Sequence, residues 1–373
     1  MPVVSNELIK LGVFDDLRAI GTINTTGVTW RQPDGKPLAT LPMITDPGIV
    51  TLTLGQDKLA TVILDTLRRE CPSVRVIFSQ RVAGIELGAG KVTLMTSNNH
   101  NFEDYFFTSK FVVGCDGANS AVRRACMIPF EGFTWTNYRF TAADVEYDFT
   151  EHCSFPEANF VVDPENWAVI AKTGKENVWR VCYGILSELE VVHASANRLV
   201  GERPELSPDH ASVVERSKTR ISAYIKPANK DGVMDYKLRR ISPYFAHQRC
   251  AATYRKGNVL LAGDAAHSNN PVGGLGLTGG LLDAVVVGNV LVRHLTKGEP
   301  DELVTKAMEA RRNIWVNLTN PVSQANFKRL HATDSAVESE RLGFFERLNG
   351  KDNLAFVKTL GGFANLLPDT FES

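Results

Sequence analysis

The chain has 373 residues, 43% hydrophobic and 22% charged, with a formal net charge of −1. That length can bury the cores of two domains, and the near-neutral balance excludes an electrostatic basis for binding nucleic acid or an anionic membrane. Six scattered cysteines without a CxxC pattern fit free thiols in a reducing, cytoplasmic setting; no signal peptide, no charge-free membrane span and no metal site is expected.

Ser5 to Leu17 (SNELIKLGVFDDL) is expected to form an amphipathic helix, capped by Ser5, with Leu8, Leu11 and Val13 or Phe14 on one face. Thr25 to Met43 suggests a hairpin turning at Pro33-Asp34-Gly35. Gln56 to Glu70 is expected to be a helix, and Arg75 to Phe78, Arg81 to Leu87 and Lys91 to Thr96 strands. Gly88-Ala89-Gly90 serves only as a turn between two of them.

Lys110 to Arg124 (KFVVGCDGANSAVRR) combines an apolar strand, a Gly114-Cys115-Asp116-Gly117 turn and a helix capped by Ser120. Phe140 to Glu146 and Phe160 to Tyr183 are β-rich, and the aromatics Trp167, Trp179 and Tyr183 are expected in the core. Leu186 to Ile225 reads as largely helical and polar, as do Pro300 to Leu330 and the tail from Glu338 to Ser373.

Lys256 to Leu295 organises the rest. Asn258 to Ala262 is a short apolar run of the kind a buried strand has, ended by Gly263-Asp264. A loop with Pro271, Gly273, Gly274 and Gly276 follows, and an apolar helix runs from about Leu277 to Leu295. An acid at a strand end can accept hydrogen bonds from ligand hydroxyls. Glycines let backbone N–H groups approach a ligand, and a helix start favours an electron-rich group.

The stretch GDAAHSNNPVGGLGLTGGLLDA closely resembles the second flavin-binding motif of single-component FAD-dependent aromatic hydroxylases, the flavoprotein monooxygenases of the p-hydroxybenzoate and phenol hydroxylase type. The Asp116-Gly117 stretch resembles that family's DG motif, and Arg123 matches the motif arginine. The resemblance implies an α/β (α+β, two-domain) fold: an FAD-binding domain of the p-hydroxybenzoate hydroxylase type and a β-sheet substrate domain. The expected FAD-binding segments are 1–24, 54–135 and 248–300, the substrate sheet 25–53 and 136–247, and the C-terminal helical region 301–373. By position, Asp264 would hold the ribityl chain, with Gly263, Pro271, Gly273, Gly274, Leu275, Gly276 and Leu277 around the flavin ring. Asp116, Gly117 and Arg123 would lie near the pyrophosphate, and Gln56 is a further flavin contact. His267 is expected to be structural.

Family members open with a βαβ unit carrying GxGxxG and an acid for the adenosine ribose. Neither feature precedes Ser5, so the FAD-binding domain is expected to be N-terminally incomplete, to expose apolar faces and to hold FAD weakly unless such a unit is supplied. The implied activity is hydroxylation of a phenolic or other electron-rich small molecule with FAD, NAD(P)H and dioxygen, in aromatic catabolism or secondary metabolism. The alternatives are a flavin-dependent oxidase or epoxidase, and a non-catalytic remnant or binding protein. No catalytic residue can be picked from the sequence, nor an oligomeric state.

Overall fold

The computed structural model describes residues 2–43, 51–186, 210–351 and 353, and they form a mixed α/β protein of two compact units. The first is drawn from Met1–Thr66, Trp135–Ala246 and Ala325–Phe363, the second from Leu67–Thr134, His247–Gln324 and Ala364–Ser373. Expectations for 44–50, for 187–209 and for most of the tail beyond 351 lie outside the described residues.

In the first unit, seven strands form one sheet in the order Lys237–Tyr244, Tyr138–Glu146, Val178–Leu186, Ala168–Lys175, Ala158–Val161, Val28–Arg31, Pro37–Leu41. Neighbours are antiparallel except Val28–Arg31 beside Ala158–Val161. The helix His210–Ala228 adds Ile221, Tyr224 and Ile225 to a core shared with Trp179 and Tyr183, while Trp167 packs on Phe140 and Phe327; the three expected aromatics are at most 1% exposed. These aromatics are core, as expected. The hairpin forms around Gly35, which takes a left-handed φ of +86° that other residues adopt at a cost. The first expected helix is instead two, Pro2–Lys10 and Phe14–Ile20, because Gly12 turns left-handed between them.

In the second unit, Val259–Leu261 lies between Arg255–Lys256 and Val112–Gly114, antiparallel to the first and parallel to the second. Leu261 stands opposite Gly114, so the two motif strands are neighbours and their turns leave from the same end. Gly114 is required by packing: a Cβ there would sit 2.7 Å from Val122 and 3.0 Å from Leu261. The helix Leu275–Lys297 packs Val286, Val287 and Val290 against these strands, together with Val304, Ala307 and Met308 of Asp301–Ile314. Leu275–Lys297 is long and apolar enough to cross a membrane by length and composition, but it carries Asp283 and contributes those three valines to the core.

A second sheet in this unit pairs Gln80–Gly88, Lys91–Asn98 and Asp104–Ser109. The last strand is absent from the sequence reading because DYFFTS places three aromatics in a row without alternation. Arg75–Phe78, expected as a strand, joins no ladder among the described residues. Val76, Ile77 and Phe78 there are 40–63% exposed.

Candidate functional site

The strand Val259–Leu261 is fully buried and ends in a single tight turn over Gly263–Ala265. Gly263 takes a φ of +59°, and Gly280 of the following helix faces it so closely that a Cβ on Gly280 would stand 3.1 Å from the Gly263 Cα. The turn throws the Asp264 side chain outward. Asp264 meets solvent, and among the described residues no protein group donates a hydrogen bond to its carboxylate. Enough protein surrounds it for desolvation to push its carboxyl pKa up, against an opposing pull from His267.

Beneath the turn lies a buried charge network that the sequence reading did not contain. Asp283 Oδ2 accepts from the Gly263 N–H at 3.0 Å and from His267 Nε2 at 2.8 Å, and Oδ1 accepts from Arg311 Nε at 2.7 Å. The side chains of Asp283, His267 and Arg311 are each only 2% exposed. Arg311 also reaches the Gly279 carbonyl at 3.2 Å. Burial pushes the Asp283 carboxyl up, but His267 and Arg311 more than offset it and hold the carboxyl below its ordinary value. An ionised Asp283 accepts, so His267 donates from Nε2. His267 is packed between Tyr254 and Trp315, and it is structural, as expected. The trace in the sequence was a lone acid, Asp283, inside an apolar helix.

The loop that follows is held from below. Asn270, fully buried, donates to the Ser323 Oγ at 2.8 Å and carbonyl at 3.0 Å, and its Oδ1 accepts from the Val272 N–H. Pro271 accepts from the Gly274 N–H at 3.2 Å, Gly273 and Gly274 are both left-handed, and Gly274 begins the helix Leu275–Lys297 without a side-chain cap. The helix start therefore keeps free N–H groups. Leu275 is buried, Gly276 half-buried and Leu277 46% exposed. Ser268 Oγ and Asn269 Oδ1, beside this loop, are buried polar atoms without a hydrogen-bond partner among the described residues.

The first-motif turn is built differently. Asp116 Oδ2 accepts from the N–H groups of Ala121 and Val122 at 2.7 and 3.1 Å, and Oδ1 from Ser120 Oγ at 2.5 Å, the cap of the short helix Ala121–Ala125, so both oxygens are taken up at that helix start. Gly117 follows with a φ of +82°. Arg123 is 4% exposed, stacks on Phe130 at 3.8 Å, and donates to the carbonyls of Ala118 at 2.7 Å and Ala265 at 2.8 Å. It thereby ties the two motif turns together, and burial pushes its pKa down to about 10.

Of the expected site residues, Gln56 belongs to the first compact unit, where it is exposed and opens the helix Gln56–Glu70; all the others belong to the second. An open depression of about 500 Å³ in the second unit is lined by Tyr254, Arg255 and their neighbours and by Thr305, Met308, Glu309 and Arg312 of the next helix. Its lining residue Tyr254 accepts from the Leu261 N–H and stacks on His267, and none of the expected cofactor-binding residues lines it.

A family profile described as FAD binding domain matches residues 7–320. Para-nitrophenol 4-monooxygenase of Pseudomonas sp. (strain WBC-3) is 31% identical over 90% of this chain and 78% of its own length. 6-hydroxy-3-succinoylpyridine 3-monooxygenase HspB of Pseudomonas putida (strain DSM 28022 / S16) is 30% identical over 87% and 76%. The crystal structure of p-nitrophenol 4-monooxygenase PnpA from Pseudomonas putida DLL-E4 superposes with a TM-score of 0.83 at 32% identity, covering 98% of this chain and 87% of that one.

Proposed function

The chain belongs to the FAD binding domain family, within the single-component FAD-dependent aromatic hydroxylases, and from that premise we propose that its substrate is a para-substituted phenol or hydroxypyridine. The enzyme is an FAD-dependent monooxygenase of phenolic compounds. The two relatives are named for oxygenation at ring position 4 of para-nitrophenol and position 3 of 6-hydroxy-3-succinoylpyridine. In both, that carbon is para to the ring hydroxyl and carries the substituent. The same regiochemistry is proposed here, with NADPH or NADH as co-substrate. A cytoplasmic setting accords with the free cysteines of the chain.

The observation that carries the reading is the Asp264 carboxylate, held at the end of a buried strand with no protein partner among the described residues. The residues present fit FAD. Asp264 would accept from ribityl hydroxyls, and the orphaned Ser268 Oγ and Asn269 Oδ1 offer further polar atoms beside a loop kept open by glycines. Gly263, Pro271, Gly273, Gly274, Leu275, Gly276 and Leu277 would line the flavin, and the uncapped helix start would favour its electron-rich edge. Asp116, Gly117 and Arg123 would shape the neighbouring turn for the cofactor's phosphate end, and Gln56 is proposed as a further contact. FAD, when bound and reduced, supplies the oxygen chemistry, one atom of dioxygen going to the ring and the other to water. The chain's own task is to bind, orient and exclude water, so no catalytic triad is required.

The test titrates FAD into the purified chain and then adds p-nitrophenol, oxygen and NADPH or NADH. Saturable FAD binding is expected, with release of nitrite and one nicotinamide oxidised for each quinone formed, plus a second wherever nicotinamide reduces that quinone. Nicotinamide oxidation that yields only hydrogen peroxide across a panel of para-substituted phenols would defeat the substrate proposal.

A further inference from the structure

We infer that Asp283 is a positioning residue for the cofactor site: through the Gly263 N–H it sets the peptide that aims the Asp264 carboxylate. The inference rests on the reading of Asp264 as the ribityl acceptor.

The turn Gly263–Ala265 has Asp264 at its centre and a buried charged side chain gripping each flank. On one side, Arg123 takes the Ala265 carbonyl at 2.8 Å. On the other, Asp283 takes the Gly263 N–H at 3.0 Å. Arg123 is itself braced by Phe130 and the Ala118 carbonyl, and Asp283 by Arg311 and His267. Arg123, Asp283, Arg311 and His267 are all buried, so each grip acts in a low-dielectric setting where a charge-assisted hydrogen bond is strong and directional. Asp264 itself makes no such contact among the described residues, so its direction is inherited from the peptide on either side. Three chain segments converge on the Asp283 grip, namely the strand end, the glycine helix and the helix Asp301–Ile314 through Arg311. A neutral amide at 283 would present N–H groups toward His267 Nε2–H or the Arg311 guanidinium, which are both donors, and would have to rotate away from one of its partners. The Gly263 peptide would then be free to turn, and Asp264 with it.

The test is a double-mutant cycle on the full chain, reading FAD affinity by flavin fluorescence and the melting temperature of FAD-free protein. The variants are Asp264→Ala, Asp283→Asn and the double. Each single change is expected to weaken FAD binding about tenfold or more, and the double to lose at most about threefold beyond Asp264→Ala, because Asp283 acts through Asp264. A general loss of stability would not produce that coupling. Should Asp283→Asn fail to fold, the pair Asp283→Leu with Arg311→Met removes both charges at similar volume, a replacement buried ion pairs often tolerate. That pair is expected to fold and to lose FAD affinity to the same degree. Wild-type FAD affinity in Asp283→Asn or in the apolar pair, or single losses that multiply in the double, would overturn the inference while leaving Asp264 as the acceptor. Unchanged affinity in Asp264→Ala, or a wild-type chain that binds no FAD, would instead overturn the reading on which it rests.

Discussion

The two motif turns look alike in sequence and are used in opposite ways. Each follows an apolar strand, each places an acid at the strand end, and the strands are parallel neighbours with Gly114 opposite Leu261. Asp116 spends both oxygens at the start of the helix that follows it. Asp264 spends neither, because Asp283 and Arg123 do the work of holding its turn. An acid at a strand end is therefore available to a ligand only where some other group satisfies the local backbone. In this protein the other group is a buried carboxylate twenty residues downstream.

The largest effect expected from this contrast is on stability. Asp283→Ala leaves Arg311 buried without its carboxylate and should cost about 3–5 kcal/mol in denaturant unfolding. A cost under 1 kcal/mol would mean that the second turn does not depend on buried charge. Next is ligand affinity. Asp264→Ala should weaken FAD binding by about tenfold or more, since each charge-assisted bond is worth roughly 1.5–3 kcal/mol. The same change should leave the stability of FAD-free protein within about 0.5 kcal/mol. Asp116→Ala should show the reverse pattern, a loss of about 0.5–2 kcal/mol of stability from the missing cap. If the stability loss appeared in Asp264→Ala and not in Asp116→Ala, the contrast between the turns would collapse.

The smallest effect is on pH dependence, and it also separates the two carboxylates. The Asp283 carboxyl is held below its ordinary value by His267 and Arg311, which outweigh burial. The stability it contributes is thus fully present above an unfolded carboxyl value of about 3.9 and is lost as pH falls through the lower folded value. The Asp264 carboxyl is pushed up by desolvation, so it takes its proton at a higher pH than an ordinary aspartate. On acidification, FAD affinity should fall before the fold does, and Asp264→Asn should flatten the first limb while Asp283→Asn flattens the second. Parallel titration of flavin fluorescence and unfolding midpoint checks the order; simultaneous loss of both would contradict it.

Much of the fold was legible because it is encoded locally. The helix Gln56–Glu70, the hairpin around Gly35, the two motif strands and the glycine-started helix follow from periodicity, turn residues and punctuation over a few residues. Two local readings failed. Gly12 splits the first helix because a left-handed glycine ends a helix more readily than it continues one, and Arg75–Phe78 has the residues of a strand but no neighbour to pair with. A strand exists only when its hydrogen bonds have a partner, which composition cannot supply.

By itself the sequence determined the order and spacing of the two motifs, and with them the family, because glycines, the strand-end acids and the proline act through the backbone at their own positions. Only the tertiary structure decided which acid stays free. Asp116 and Asp264 differ in what comes to meet them: Ser120 with its own helix start in one case, and in the other Asp283, His267 and Arg311 gathered from three separate segments. Hydrogen-bond satisfaction of a buried turn is a property of everything packed around it, and that packing brings together residues that lie far apart along the chain.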